Sequence, residues 1–429
     1  MDRREFLGQL TAGVALGAAA GRAAAAPAAS LADWSAVRNE FLLDRERIHL
    51  ALMLLTSHPR PVREAIETHR RKLDENPIDY FEDRFFHAET EVRAAAARYM
   101  GGAPDDIALT DSTTLGLGVL YGGLALRDGD EVVMTTHDHY ATHENLRLRV
   151  LRNPGVRVRK VTLYDRPAAV SEEEATRRLM AAIGPRTRAL AVTWVHSSTG
   201  VKLPIKRFAT ALEEVNRKRD EGDRVLLCVD GVHGFGVERD SPADLGCDFF
   251  AAGCHKWIFG PRGTGVLWGR PAAWKRHTGL IAAFEKEPYQ AWMKGRTPTG
   301  PGGVLATPGG FHSFEHRWAL GEAFAFHERI GRERVTTRIH SLASQLKEGL
   351  SSLPRVTLHT PRSEALSAAL VCFEVAGLTA TEVVKRLHAR KIIASVTPYA
   401  TEYARFSPGI LNTPAEVETV LREVRALTA

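Results

Sequence analysis

Cysteine is scarce in this chain of 429 residues: there are four, at positions 228, 247, 254 and 372, with no CxxC pair. That argues against a zinc ribbon and against a disulfide framework, which belongs to much shorter secreted chains. Three of the four lie in apolar stretches, where a free thiol acts as a small core residue. Clustered positive charge is also missing. The 57 Lys and Arg are scattered among 51 Asp and Glu, for a net charge of +6. Nucleic acid, which is read by basic stripes, is therefore not an expected partner, whereas an anionic cofactor or substrate is compatible. No Gly/Ser tract and no internal repeat occur. Past the N-terminus no apolar run is long enough to span a bilayer. What is abundant is ordinary globular material: 44% hydrophobic residues, enough for two or three domains.

The first 28 residues stand apart. Arg3 and Arg4 precede Phe6 and Leu7, a weakly apolar run follows from Leu10 to Ala20, and an alanine-rich stretch ends near Ala26-Pro27-Ala28. Charged, apolar and small residues in that order predict a cleavable export signal. The paired arginines with Phe-Leu resemble a Tat signal, which implies the Tat export machinery as a partner and a periplasmic or extracellular mature protein.

From Pro61 onward, helical and strand patterns alternate. Helices are predicted over Pro61–Asn76, Glu82–Tyr99, Thr113–Leu124, Ser171–Ile183 and Phe208–Asp220, and strands over Ile107–Thr110, Glu131–Thr135, Val156–Val161, Thr187–Val195 and Arg224–Val229. Apolar strands alternating with helices predict an α/β protein with a mostly parallel sheet covered on both faces. A Gly/Pro-rich segment (Arg296–Gly310) and a long helical stretch (His316–Leu353) follow. The chain after residue 334 reads as a smaller C-terminal α/β domain, and residues 29–334 as an N-terminal segment with the large domain. In the small domain, strands are predicted at Val356–His359, Ala368–Val375, Ile392–Val396 and Tyr403–Ser407, with helices at Ala380–Ala389 and Pro414–Leu427.

Ligands of such sheets bind beyond the carboxyl ends of the strands, and the chemically rich motifs fall there. In GCHKWIFGPRG, Lys256 follows the apolar strand Phe249–Ala252. Partial desolvation there lowers an amine's pKa and makes it a nucleophile. In VDGVHG, Asp230 ends another apolar strand, where a carboxylate can pair with a protonated ring nitrogen. In DSTTLG, hydroxyls and backbone N–H groups at a helix start form a phosphate cradle. Each is weak alone: a lysine after a strand, a turn aspartate and a serine cap are all common.

Their order is more specific. DSTTLG, TTHDHYATHE, VTWVHSSTG, VDGVHGFG, GCHKWIFGPRGTG and ARFSPGILNT follow one another from about Ile48 to the C-terminus. This succession resembles the class V aminotransferase family, in its isopenicillin-N-epimerase-like branch. The resemblance implies a pyridoxal-5′-phosphate (PLP) enzyme of fold type I, a homodimer acting on a small-molecule amine or amino acid. It implies that Lys256 holds the cofactor and moves the substrate's α-proton, that Asp230 meets the pyridine nitrogen, and that His233 lies near the phenolic oxygen. Thr113, Thr114 and His255 would bind phosphate, His139 or Tyr140 would stack on the ring, Ser197 would contact the ring oxygen, and Arg405 would grip a carboxylate with its bidentate fork.

Departures from the family pattern are visible. Its Gly-Thr phosphate donor is replaced by GGFHSFEH, where Ser313 or His312 is the expected substitute, delivered from the partner subunit. HLALMLLTSHP replaces a more polar stretch, so Met53, Leu54 and Leu55 either line an apolar pocket or pack in the core. Gly253 stands where a further polar contact is common. Transamination is the first expectation, with epimerase or lyase chemistry close behind. Desulfuration is disfavoured, because Cys372 sits inside an apolar strand rather than on a loop. A non-catalytic binding protein that kept the fold is the reading from another class, opposed by the intact Lys256, Asp230 and Arg405.

Overall fold

A computed structural model of the chain describes residues 31–427, so the segment read as an export signal lies outside the described residues. The first strand, β1 (Ile48–His49), belongs with the C-terminal part of the molecule. The central sheet holds β2 (Ile107–Thr110), β3 (Glu131–Thr135), β4 (Arg157–Val161), β5 (Thr187–Thr193), β6 (Leu226–Asp230), β7 (Phe249–Gly253) and β8 (Gly265–Gly269) in the spatial order β2-β8-β7-β6-β5-β3-β4. The pairs β3–β4, β3–β5, β5–β6 and β6–β7 are parallel, while β8 runs antiparallel to both β2 and β7. The mostly parallel sheet is thus as expected. The antiparallel β8 was not predicted, because GVLWG is a short apolar run between glycines and carries no periodicity to mark it.

Burial explains the composition of the strands. β5, β6, β7 and β8 are buried at every residue, which suits a central strand covered on both faces. The edge strand β4, RVRKV, is mostly exposed, and its charges discourage pairing with another chain. The opposite edge, β2, is covered by the short helix Gly302–Ala306. A Cβ at Gly303 would lie 2.6 Å from the backbone of Asp105 and of Ile107, so only glycine permits that approach.

The predicted long helix over His316–Leu353 is two helices, Phe314–Ile330 and Arg332–Ser351. Gly331 separates them at φ 94°, a left-handed conformation that suits glycine and ends the first helix. The C-terminal part forms an antiparallel sheet in the order β12-β13-β10-β9, from β9 (Val356–Leu358), β10 (Val371–Val375), β12 (Ser395–Val396) and β13 (Ala404–Phe406). The predicted strand Ile392–Val396 is divided. β11 (Ile392–Ile393) pairs with the N-terminal β1 instead, and only β12 joins the sheet. Leu50 is buried in the same apolar cluster as Phe373 and Phe406, and its carbonyl accepts the Ser407 N–H and hydroxyl at 2.8 Å each. Among the described residues no helix is long and apolar enough to cross a membrane.

Candidate active site

β2, β3, β5, β6 and β7 share one direction, so their carboxyl ends gather at one edge of the sheet. Each delivers part of the site. After β2, Ser112 caps the helix α1 (Thr113–Gly123), its hydroxyl accepting the Leu115 N–H at 3.1 Å. The Thr113 hydroxyl accepts the Gly253 N–H at 2.7 Å, which stitches this helix start to the segment carrying Lys256. The first N–H groups of a helix have no partner within it, and they aim at whatever anion lies beyond its end. A Cβ on Gly253 would come within 2.9 Å of the His255 ring and 3.1 Å of the Thr113 hydroxyl. Gly253 therefore supplies an N–H and close approach rather than the missing polar side chain. Thr114 is exposed at the rim, and His255 is half-buried.

After β3, His139 caps the helix α2 (Tyr140–Arg152), with Nδ1 accepting the Ala141 N–H at 3.2 Å. Burial lowers its pKa, and the charges of Lys256 and Arg405 lower it further, so the ring is held neutral. Tyr140, the first residue of that helix, is 69% exposed. Of the two stacking candidates, His139 is half-buried and within range of the Lys256 charge, whereas Tyr140 faces solvent.

Asp230, at the end of β6, is buried. One carboxylate oxygen accepts the Val232 N–H at 3.2 Å, and no ion pair within 4 Å answers its charge among the described residues. Burial pushes its pKa up to about 6, opposed by the Val232 N–H and by the positive charge of Lys256. Lys256 is half-buried, and burial brings its amine down to about 8. His233 is also buried, and its Nδ1 accepts the Trp257 indole N–H at 3.3 Å. With Nδ1 so engaged, the neutral ring carries its proton on Nε2, and burial keeps its pKa well below the ordinary value. Trp257 is held in turn: its carbonyl is hydrogen-bonded to His327 Nε2 at 2.7 Å, and His327 Nδ1 meets the Tyr99 hydroxyl at 3.2 Å.

The C-terminal part contributes the remaining groups. Arg405, on β13, is 1% exposed. Its Nη1 donates to the Ser197 carbonyl at 2.6 Å and its Nε to the Ser395 hydroxyl at 3.1 Å. No carboxylate among the described residues pairs with it. Tyr399, on the loop between β12 and β13, reaches back to the Ser197 hydroxyl at 2.5 Å, and its ring meets that of His139 edge-on, with centroids 6.4 Å apart. Sequence reading found neither Tyr399 nor Trp257. TPYATEY looks like any turn with a proline, and Trp257 looks like a core aromatic beside the lysine.

Other candidates lie elsewhere. Ser313 is exposed at the start of the helix α3 (Phe314–Ile330), and no contact within this chain brings it to Lys256. His312 faces Glu89 at 3.5 Å. Met53 is buried in the core, while Leu54 and Leu55 are each 51% exposed and form no closed apolar pocket. All four cysteines are free and buried.

A buried carboxylate, a partly desolvated amine, a neutral imidazole donor and an anion cradle, gathered at the strand ends of such a sheet, define a PLP-dependent enzyme of fold type I. Comparison with known proteins agrees. The chain matches the family Aminotransferase class-V over residues 56–420. It is 28% identical to isopenicillin N epimerase of Streptomyces clavuligerus, covering 93% of this chain and 99% of that protein. It is 26% identical to a probable cysteine desulfurase of Mycolicibacterium paratuberculosis, over 79% of this chain and 49% of that one. Among solved structures, a complex of the cystine C–S lyase C-DES with cysteine persulfide superposes with a TM-score of 0.78 at 23% identity, covering 89% of this chain and 98% of that one. A cysteine desulfurase from Thermococcus onnurineus NA1 gives 0.78 at 21%, covering 92% and 98%. At those identities the structures speak for the fold alone. The chain belongs to the class-V aminotransferase family.

Proposed function

We propose that this enzyme acts at the α-carbon of an amino acid, moving its α-proton and inverting the centre. The single observation that carries the substrate class is Arg405: a buried guanidinium beside Lys256 that no carboxylate answers. A buried charge without a partner is costly, and a ligand carboxylate completes it.

The residues present fit PLP. Asp230 would meet the pyridine nitrogen, His233 Nε2 would donate to the phenolic oxygen, the α1 N-terminus with Thr113, Thr114 and His255 would hold phosphate, and His139 would cover the ring. When bound, the cofactor supplies an electron sink for the pair left at the α-carbon. Lys256, held near pKa 8, is basic enough to take a proton yet neutral often enough at physiological pH to do so. Arg405 fixes the carboxylate, and Ser197, held through its carbonyl by Arg405, orders the adjoining wall.

Inversion, rather than the net amino transfer first expected, is supported by the relatives named isopenicillin N epimerase from Streptomyces clavuligerus and Amycolatopsis lactamdurans. Desulfuration is opposed by the thiols. Cys372 lies in β10, opposite Arg405 on the neighbouring strand, and burial pushes its pKa up to about 12. The test is incubation of holoenzyme with single L-amino acids in D2O. Deuterium at Cα together with the D-enantiomer supports inversion. Stoichiometric 2-oxo acid indicates transamination, and no α-exchange overturns the reading.

We propose further that the protein is exported through its paired Arg3 and Arg4 and works as a homodimer. The exposed apolar residues Phe311, Trp292, Leu280 and Ile281 support pairing. Retention of an Arg3→Lys, Arg4→Lys variant in the cytoplasm, and a dimeric mass in solution, are the expected results.

A further inference from the structure

A lysine on one face of an α-carbon can remove a proton, and it can return one to that same face. Inversion needs a proton delivered to the other face. The large domain offers little for this. His139 has Nδ1 committed to the Ala141 N–H, and His233 Nδ1 to the Trp257 indole. Asp230 is an acceptor at the end of β6. Another acid, Tyr399, lies on the loop between β12 and β13.

We propose that Tyr399 is a second catalytic acid–base, placing a proton on the α-carbon from the side away from Lys256. This rests on the α-carbon reading given above. Three observations carry it. The Tyr399 hydroxyl is 2.5 Å from the Ser197 hydroxyl, while the Ser197 carbonyl takes Arg405 Nη1 at 2.6 Å. The phenol is thus anchored one residue from the carboxylate anchor, and the α-carbon is one bond from that carboxylate. The Tyr399 ring stands edge-on to His139 on the small-domain side, whereas Lys256 rises from the end of β7 in the large domain. Tyr399 and Lys256 each lie within range of the Arg405 and Asp230 charges, so the two border one site.

The chemistry of the group is suitable. Burial raises the phenol's pKa, so it stays protonated until needed, while the Ser197 hydroxyl and the Arg405 charge stabilise the phenolate left after donation. The balance is simple. One Cα–H bond breaks, its proton going to the Lys256 amine, and its electron pair forms the new Cα–H bond as the Tyr399 O–H bond breaks. Ser197 relays a proton from water back to the phenolate, and the Lys256 ammonium releases its proton to water, so no net proton is gained or lost. Nothing is oxidised or reduced.

The experiment compares wild-type and Tyr399→Phe holoenzyme in D2O with each common L-amino acid. α-Deuterium is read by NMR and the product hand by chiral chromatography. Binding of 2-methylalanine, which has no α-proton, is read from the bound cofactor's absorbance. Tyr399→Phe is expected to lose inversion about a hundredfold, within the range for removing a general acid, to keep α-exchange with retention within tenfold, and to bind 2-methylalanine within threefold. Intact binding shows that the variant is folded. Inversion by Tyr399→Phe within threefold of wild type overturns the proposal. If Tyr399→Phe loses α-exchange as severely as inversion while 2-methylalanine binding stays intact, the proposal is likewise overturned, since the phenol then does not serve one face alone. A wild type that exchanges but never inverts overturns the second acid–base alone. A wild type that exchanges no α-hydrogen overturns the α-carbon reading and this inference with it.

Discussion

Two buried arginines in different regions of the molecule have opposite surroundings. Arg317, on α3, meets Glu89 at 3.2 Å and Asp111 at 2.8 Å, and nearby Arg93 meets Glu285 at 2.9 Å. Every charge in that cluster is answered, and the cluster braces the segment leading to the α1 N-terminus. Arg405 is as deeply buried but bonds only to a carbonyl and a hydroxyl. With Lys256 and Asp230 it makes a region of unanswered charge. Satisfied buried charges hold structure; unsatisfied ones are kept for a ligand. The same contrast separates stability from function across this chain.

The contrast is broken most strongly at Lys256. Lys256→Ala should lower turnover by about 10^3-fold or more and abolish the cofactor's covalently bound absorbance, while urea unfolding of the cofactor-free protein shows no loss of stability. A fall in stability would place Lys256 with the bracing cluster instead. The two arginines should then part company. Arg317→Met leaves Glu89 buried with a weakened partner set and should cost about 3 kcal/mol of unfolding free energy. Arg405→Gln should weaken 2-methylalanine binding about a hundredfold and move the urea midpoint much less. Equal losses of stability in both would erase the distinction.

A pH series sharpens it further. Burial lowers the Lys256 pKa from 10.5 to about 8, so between those values the unfolded chain binds the extra proton. Stability of the cofactor-free protein therefore rises with pH across that window, and Lys256→Met should remove the rise. Asp230, raised from 3.8 to about 6, acts the other way: its contribution falls as pH climbs through that lower window. Capture of added PLP should speed up with pH and level off above about 8. A plateau only beyond 10 would mean an amine in water. The smallest effect is expected at Cys372: Cys372→Ala should change turnover less than about twofold, since a buried thiol raised to about 12 is no nucleophile.

Much of the site was legible in the chain because its parts are local. Lys256, Asp230, His233 and the Ser112–Thr114 turn each sit just after an apolar strand, and such strands declare themselves by composition. Arg405 was legible through ARFSPGILNT. The divided strand at Ile392–Val396 was not, since pairing with Ile48–His49 is a contact between opposite ends of the chain. Nor was the contrast between half-buried His139 and exposed Tyr140, which one residue of helix phase sets. Tyr399 carried no signal at all. Its meaning comes from Ser197, some two hundred residues earlier in the chain.

The sequence by itself determined the alternation of strands and helices, the amine and carboxylate at the strand ends, and the family, because hydrophobic period and local motif order are one-dimensional facts. Only the tertiary structure decided which charges go unanswered and that Tyr399 reaches Ser197. Those depend on distances between segments far apart in the chain, and burial, which sets their pKa values and their cost, is a property of the packed molecule alone.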